Sequence, residues 1–159
     1  MKNKPTNEPV PALLAKPSFQ RLIDLLHKKG YRVLGPTLRD GAVVWAPAGQ
    51  ISDLPVGWRD VQEPGRYRLE DTGSAQIFGV VHGPQSLKPL TFAPREPLLQ
   101  IERTKDGFTV RPTLPREEKI AVLGARACDL AGLAVQDHIF LKDRYGDPYY
   151  EARRKGLLV

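Results

Sequence analysis

The sequence predicts a mixed α+β fold: an N-terminal helix and hairpins, then a strand–helix–helix–strand crossover. Three observations predict it. Residues 120–123 are a short apolar run of branched residues, as in a strand buried on both faces. They are followed at once by Gly124 and a segment carrying Leu130, Leu133 and Ala134 at helical spacing. Asp40-Gly41 and Asp106-Gly107 each stand between apolar runs, a hairpin signal.

Residues 1–11 are polar and proline-bearing without periodicity, and are expected to form a disordered lead to a single domain over 12–159. Ser18 is placed to cap a helix running to about Lys29, with Phe19, Leu22, Ile23, Leu25 and Leu26 on its apolar face. Gly30 ends it behind Lys28 and Lys29, cations suited to the negative end of a helix dipole. Residues 31–34 and 42–45 predict an antiparallel pair across Asp40-Gly41. Residues 46–64 are rich in Pro, Gly and Asp, and predict an ordered loop anchored by Leu54, Val56 and Trp58. Strands are expected over 66–69 and 75–81, and a short helix over 85–89. Pro94 and Pro97 bracket Arg95 and Glu96 and hold them in extended or turn backbone. Residues 98–103 and 107–111 predict a second hairpin, and 113–118 a polar link.

The crossover completes the chain. After the strand at 120–123 and its helix, Asp147-Pro148 supplies a cap and a first-turn proline for a helix over 147–154. Gly156 ends that helix, and Leu157-Leu158-Val159 opens a strand expected to lie parallel to the first. The useful chemistry of such sheets lies at the C-terminal ends of their strands.

Composition narrows the function classes. The 159 residues suffice for one domain with a core, and the hydrophobic (41%) and charged (26%) fractions are those of a globular protein. No apolar run is long enough to span a bilayer, and the N-terminus lacks a signal-peptide core, so a cytoplasmic location is the default expectation. A single cysteine excludes both a disulfide framework and a four-thiolate cluster site built from this chain alone. The net charge of +6 fits a solvated basic surface or a docking face for an acidic partner. Nucleic acid is not expected, because the basic residues are scattered and not interleaved with aromatics.

Few residues qualify for chemistry. Cys128 follows the strand at 120–123, two residues after Arg126 and one before Asp129. A cation and a helix N-terminus favour a thiolate, the form that binds iron. A buried structural thiol is the plainer reading, and both stay open. Arg95, Arg126, Arg153 and Arg154 suit carboxylate or phosphate. Local pairing accounts for each of them: Arg95 with Glu96 or Glu102, Arg126 with Asp129, Arg153 and Arg154 with Glu151. Tyr145, Tyr149 and Tyr150 are expected to be packing anchors with exposed hydroxyls. His27 is expected to be a solvated helix residue. His82 and His138 match no zinc spacing with Cys128. GxxxxGK[ST], GxGxxG and a nucleophile elbow are all absent, so no self-contained catalytic site is predicted.

The stretches GARACDLAGLAVQDHIFL and YGDPYYEARRKGLLV carry a family resemblance, as do GPTLRDGAVVW, DLPVGW, EPGRYRL and FAPREPLL upstream, in the same order. From about Leu13 to Val159 the chain resembles the beta-subunit family of cytoplasmic nickel–iron hydrogenases and sulfhydrogenases, which includes the A subunit of anaerobic sulfite reductase. The resemblance implies the N-terminal half of an electron-transfer subunit. Such subunits relay electrons between a flavin-containing, NAD(P)-linked subunit and a catalytic hydrogenase or reductase subunit. In that family the chain continues past this strand to further cysteines and a ferredoxin-like domain with 4Fe-4S clusters. None of those cysteines occurs here, so no cluster is expected on this chain alone. The resemblance implies that Cys128 is one ligand of a shared cluster, with Arg95, Arg126, Asp129 and Arg153 on a contact surface for the flavin or cluster subunit. A docking module of a split or truncated subunit, with no redox centre, is the alternative.

Overall fold

A computed structural model describes residues 13–81, 83, 85–142 and 144–159. The expected disordered lead lies outside the described residues. The fold is mixed α and β, as the sequence predicts. A short 3-10 turn (Lys16–Ser18) leads into α1 (Phe19–Lys28), which buries Ile23 and Leu26. Ser18 does not cap α1 with its side chain. The preceding turn already places it in helical backbone, so it lacks the extended conformation a cap requires.

Strands β1 (Arg32–Arg39) and β2 (Ala42–Pro47) pair antiparallel around Asp40 (φ 50°) and Gly41 (φ 74°). Two left-handed residues make the turn whose twist matches a hairpin. Further along come β7 (Ile120–Val122), α3 (Ala127–Leu141), α4 (Pro148–Lys155) and β8 (Leu157–Leu158). The sheet has the order β2-β1-β7-β8, with β7 parallel to both β1 and β8. The expected crossover is therefore present. Its second helix is capped as predicted: Asp147 Oδ1 accepts from the backbone N–H groups of Tyr149 (2.8 Å) and Tyr150 (3.1 Å).

Both faces of this sheet are covered, which explains its unbroken apolar runs. Val33 and Ala121 face α1, with Leu26, Ala48 and Leu54. Leu34, Ile120, Val122 and Leu157 face the other way, against Leu87 and Leu133.

Three expectations fail in the middle of the chain. Residues 46–64 are not one loop: after a 3-10 turn (Ile51–Asp53), β3 (Trp58–Glu63) pairs with β4 (Arg66–Asp71). Residues 75–81 form no strand. Their polar groups are used elsewhere, since Gln76 O accepts from Gly57 N–H (2.8 Å) and Val81 N–H donates to Asp60 Oδ1 (2.6 Å). The helix expected over 85–89 is instead α2 (Lys88–Thr91), because Gln85 is drawn to β2, its Oε1 accepting from Trp45 N–H (2.9 Å). The second predicted hairpin is present as β5 (Leu99–Thr104) and β6 (Gly107–Pro112). This hairpin and β3–β4 are separate two-stranded sheets and do not join the main one.

Candidate functional site

The end of β7 and the start of α3 form the candidate site. Gly124, in the connecting loop, has φ +76°, and a Cβ there would lie 2.6–2.7 Å from the Phe78 ring. Glycine thus lets the chain turn sharply from strand to helix beneath that ring. Arg126 occupies the N-cap position of α3, and its backbone N–H donates to Asp129 Oδ2 (2.9 Å). Asp129 therefore closes the first helical turn, where the helix dipole favours a carboxylate.

Cys128 stands in this first turn and is exposed, so the buried-thiol reading does not hold. With Ser86, Lys88, Asp129 and Gln136 it lines a cavity of about 190 Å³. We expect one equivalent of thiol to react with a disulfide reagent in the native chain, without denaturant. A thiol that reacts only after unfolding would contradict this placement.

Among the described residues no three His, Cys, Asp or Glu side chains converge as a metal site requires. His138 is ten residues from Cys128 on the same helix, about 15 Å along its axis. His82 lies outside the described residues. A four-iron cluster draws on four thiolates, and the described residues offer one. The described residues by themselves therefore do not fit such a cluster.

The arginines are positioned differently from expectation. Arg153 does not pair with Glu151. It meets Glu96 in a two-pronged contact, Nη2–Oε1 2.9 Å and Nη1–Oε2 2.5 Å, with each side chain about four-fifths shielded (20% and 18% exposed). Glu151 instead pairs with Lys155, one turn on (2.8 Å). With Glu96 taken, the expected pairing of Arg95 with Glu96 or Glu102 is absent, and Arg95 is exposed. The four residues of the expected contact surface thus divide: Arg126 and Asp129 shape the start of α3, while Arg153 ties α4 to the segment holding Arg95.

Sequence reasoning missed a second cluster. Arg154 Nε donates to Asp137 Oδ1 (2.9 Å) and Oδ2 (3.2 Å), and the Tyr150 hydroxyl donates to Asp137 Oδ1 (2.7 Å). Tyr150 is not a tyrosine with an exposed hydroxyl; it is 1% exposed. The Tyr149 hydroxyl donates to Leu98 O (3.2 Å), and Tyr145 is 79% exposed, so it anchors no packing. The available signal was Asp137 itself, a carboxylate in the interior of a largely apolar helix whose other carboxylate, Asp129, lies in the first turn.

Burial, and then the Asp137 carboxylate, push the Tyr150 hydroxyl far above its usual value of about 10. Below about pH 10 both folded and unfolded chains keep this proton, so its contribution to stability is fully present. Above that the unfolded chain ionises first and stability falls as pH rises. Tyr67 is raised too, by burial and then by Asp60. Urea midpoints should therefore drop as pH rises above about 10, and Tyr150→Phe should flatten that drop. An equal drop in both proteins would remove Tyr150 as its cause.

Helix α3 is apolar around much of its circumference. Leu133 is buried, yet Leu130, Val135, Ile139 and Leu141 are exposed by 48%, 60%, 52% and 39%. A helix of that kind is normally covered on more than one side. No helix among the described residues is long and apolar enough to cross a membrane.

Compared with known proteins, the chain is similar to "Sulfhydrogenase 2 subunit beta" of Pyrococcus furiosus, at 27% identity over 105 residues, 62% of this chain. The match spans 28% of that protein's length. No family model matches the chain, and no solved structure matches it.

Proposed function

We propose that this chain is part of a subunit of a cytoplasmic, hydrogenase-type oxidoreductase complex. Its role there is electron relay between a flavin-containing, NAD(P)-linked subunit and a catalytic subunit. The observation that carries this reading is the similarity to a sulfhydrogenase beta subunit. The exposed apolar side of α3 supports it, because such a surface suits a permanent protein contact. In this reading Cys128 adds one thiolate to a 4Fe-4S cluster whose other ligands come from outside the described residues. The single cysteine supports a second reading, a docking module that holds no redox centre of its own.

Iron and acid-labile sulfide, measured on anaerobically purified complex with Cys128 intact and with Cys128→Ser, separate the two. Loss of about four iron atoms per complex from an otherwise assembled variant is the outcome expected of a cluster ligand. Unchanged iron with unchanged assembly leaves the docking role. A chain that joins no oxidoreductase assembly would overturn both.

A further inference from the structure

We propose that one face of the β5–β6 hairpin is a docking surface for an acidic partner protein. The inference stands independently of the hydrogenase reading. Register places Ile101 opposite Val110, Leu99 opposite Pro112 and Arg103 opposite Phe108. Side chains alternate along a strand, so these six share one face. Gln100, Glu102, Thr104, Thr109 and Arg111 take the other.

Such strict alternation is the pattern of strands with one covered face. Yet Leu99, Ile101, Phe108 and Val110 are exposed by 58%, 62%, 71% and 56%. Four large apolar side chains in a row on one short sheet are unlike the single scattered ones found on ordinary surfaces. A lone two-stranded hairpin is marginal in water, and covering this face would stabilise it. Its base is already fixed to the body, where the Tyr149 hydroxyl donates to Leu98 O (3.2 Å) and Thr113 N–H to the same oxygen (3.1 Å).

Charge selects the occupant. Arg103 is the one charge on the apolar face, and among the described residues it makes no ion pair. A second copy packed face to face would cover both Arg103 side chains with a face that carries no carboxylate to pair them. It would also join two chains of net charge +6. A partner with an apolar patch and a carboxylate placed for Arg103 meets both requirements.

The test places a photoreactive benzoylphenylalanine at position 108 of the full chain, produced in its native cells. The expected product is a cross-link to a different polypeptide, in a segment mixing apolar residues with Asp or Glu. Its yield should fall at least tenfold with Arg103→Glu, and return when the partner's carboxylate is changed to arginine. Thr109→Lys, on the opposite face, should leave the yield unchanged. Thermal melting of each variant checks the fold, since Arg103 and Phe108 are exposed and Thr109 is half-buried. A cross-link to a second copy, cross-links only within this chain, no cross-link, or a yield indifferent to Arg103→Glu would each overturn the proposal.

Discussion

Tyr150→Ala should destabilise the chain by about 3–5 kcal/mol, a large part of what holds a domain of this size folded. The Tyr150 ring is 1% exposed and lies 5.1 Å from the Phe140 ring, which stacks on Phe92 at 5.4 Å. Removing it opens a cavity where α4 meets α3, and it also strips a donor from Asp137. Tyr150→Phe separates the two effects. The ring stays, Arg154 still serves Asp137, and the expected cost is about 1 kcal/mol. Urea unfolding of both variants gives the comparison. If phenylalanine cost as much as alanine, the polar cluster, and not the packed ring, would be fastening the two helices.

Gly156→Ala is expected to cost more than about 3 kcal/mol, at the upper end for overpacking. Gly156 has φ −83°, a conformation any residue adopts, so backbone preference is not the obstacle. Space is the obstacle. A Cβ would stand 2.1 Å from the carbonyl oxygen of Glu118 and 3.0 Å from its carbon, and backbone cannot swing aside as a side-chain end can. The Gly156 carbonyl also accepts from Ile120 N–H (2.9 Å), so moving Gly156 away loosens β8 from β7. Gly132→Ala is the control. It lies within α3 with nothing within 4 Å of a new Cβ, and should stabilise by about 1 kcal/mol. Thermal melts reading the two variants alike would mean that β8 is not seated against residue 118.

The crossover was legible because its signals are local and agree with one another. The apolar run of β7, the Asp147-Pro148 cap and the Gly156 stop each specify a boundary without reference to the rest of the chain. The Asp40-Gly41 turn is of the same kind. What escaped depends on distant partners. β3 lies in a stretch that Pro and Gly mark as loop, and becomes a strand because Trp58 through Glu63 find a ladder in β4. Residues 75–81 have strand-like composition but no ladder partner. Among the candidate residues the same division holds. The N-terminal position of Cys128 on a helix could be read, whereas its exposure could not. Glu96 and Arg153 are far apart in sequence, so a search for nearby acids assigned Arg153 to Glu151, which the helix gives to Lys155.

The β1–β7 pairing bears on how the chain folds. Arg32 meets Ile120 at the centre of the sheet, and two complete hairpins lie between them in sequence. Each hairpin closes over a few residues and forms in microseconds, but the central pair must first close a very long loop. Contact order is therefore concentrated at one junction. Stopped-flow refolding should show early local structure followed by one slower phase in which the sheet assembles. Val33 and Ala121, which become buried on either side of that junction, are the positions at which substitutions should slow that phase most.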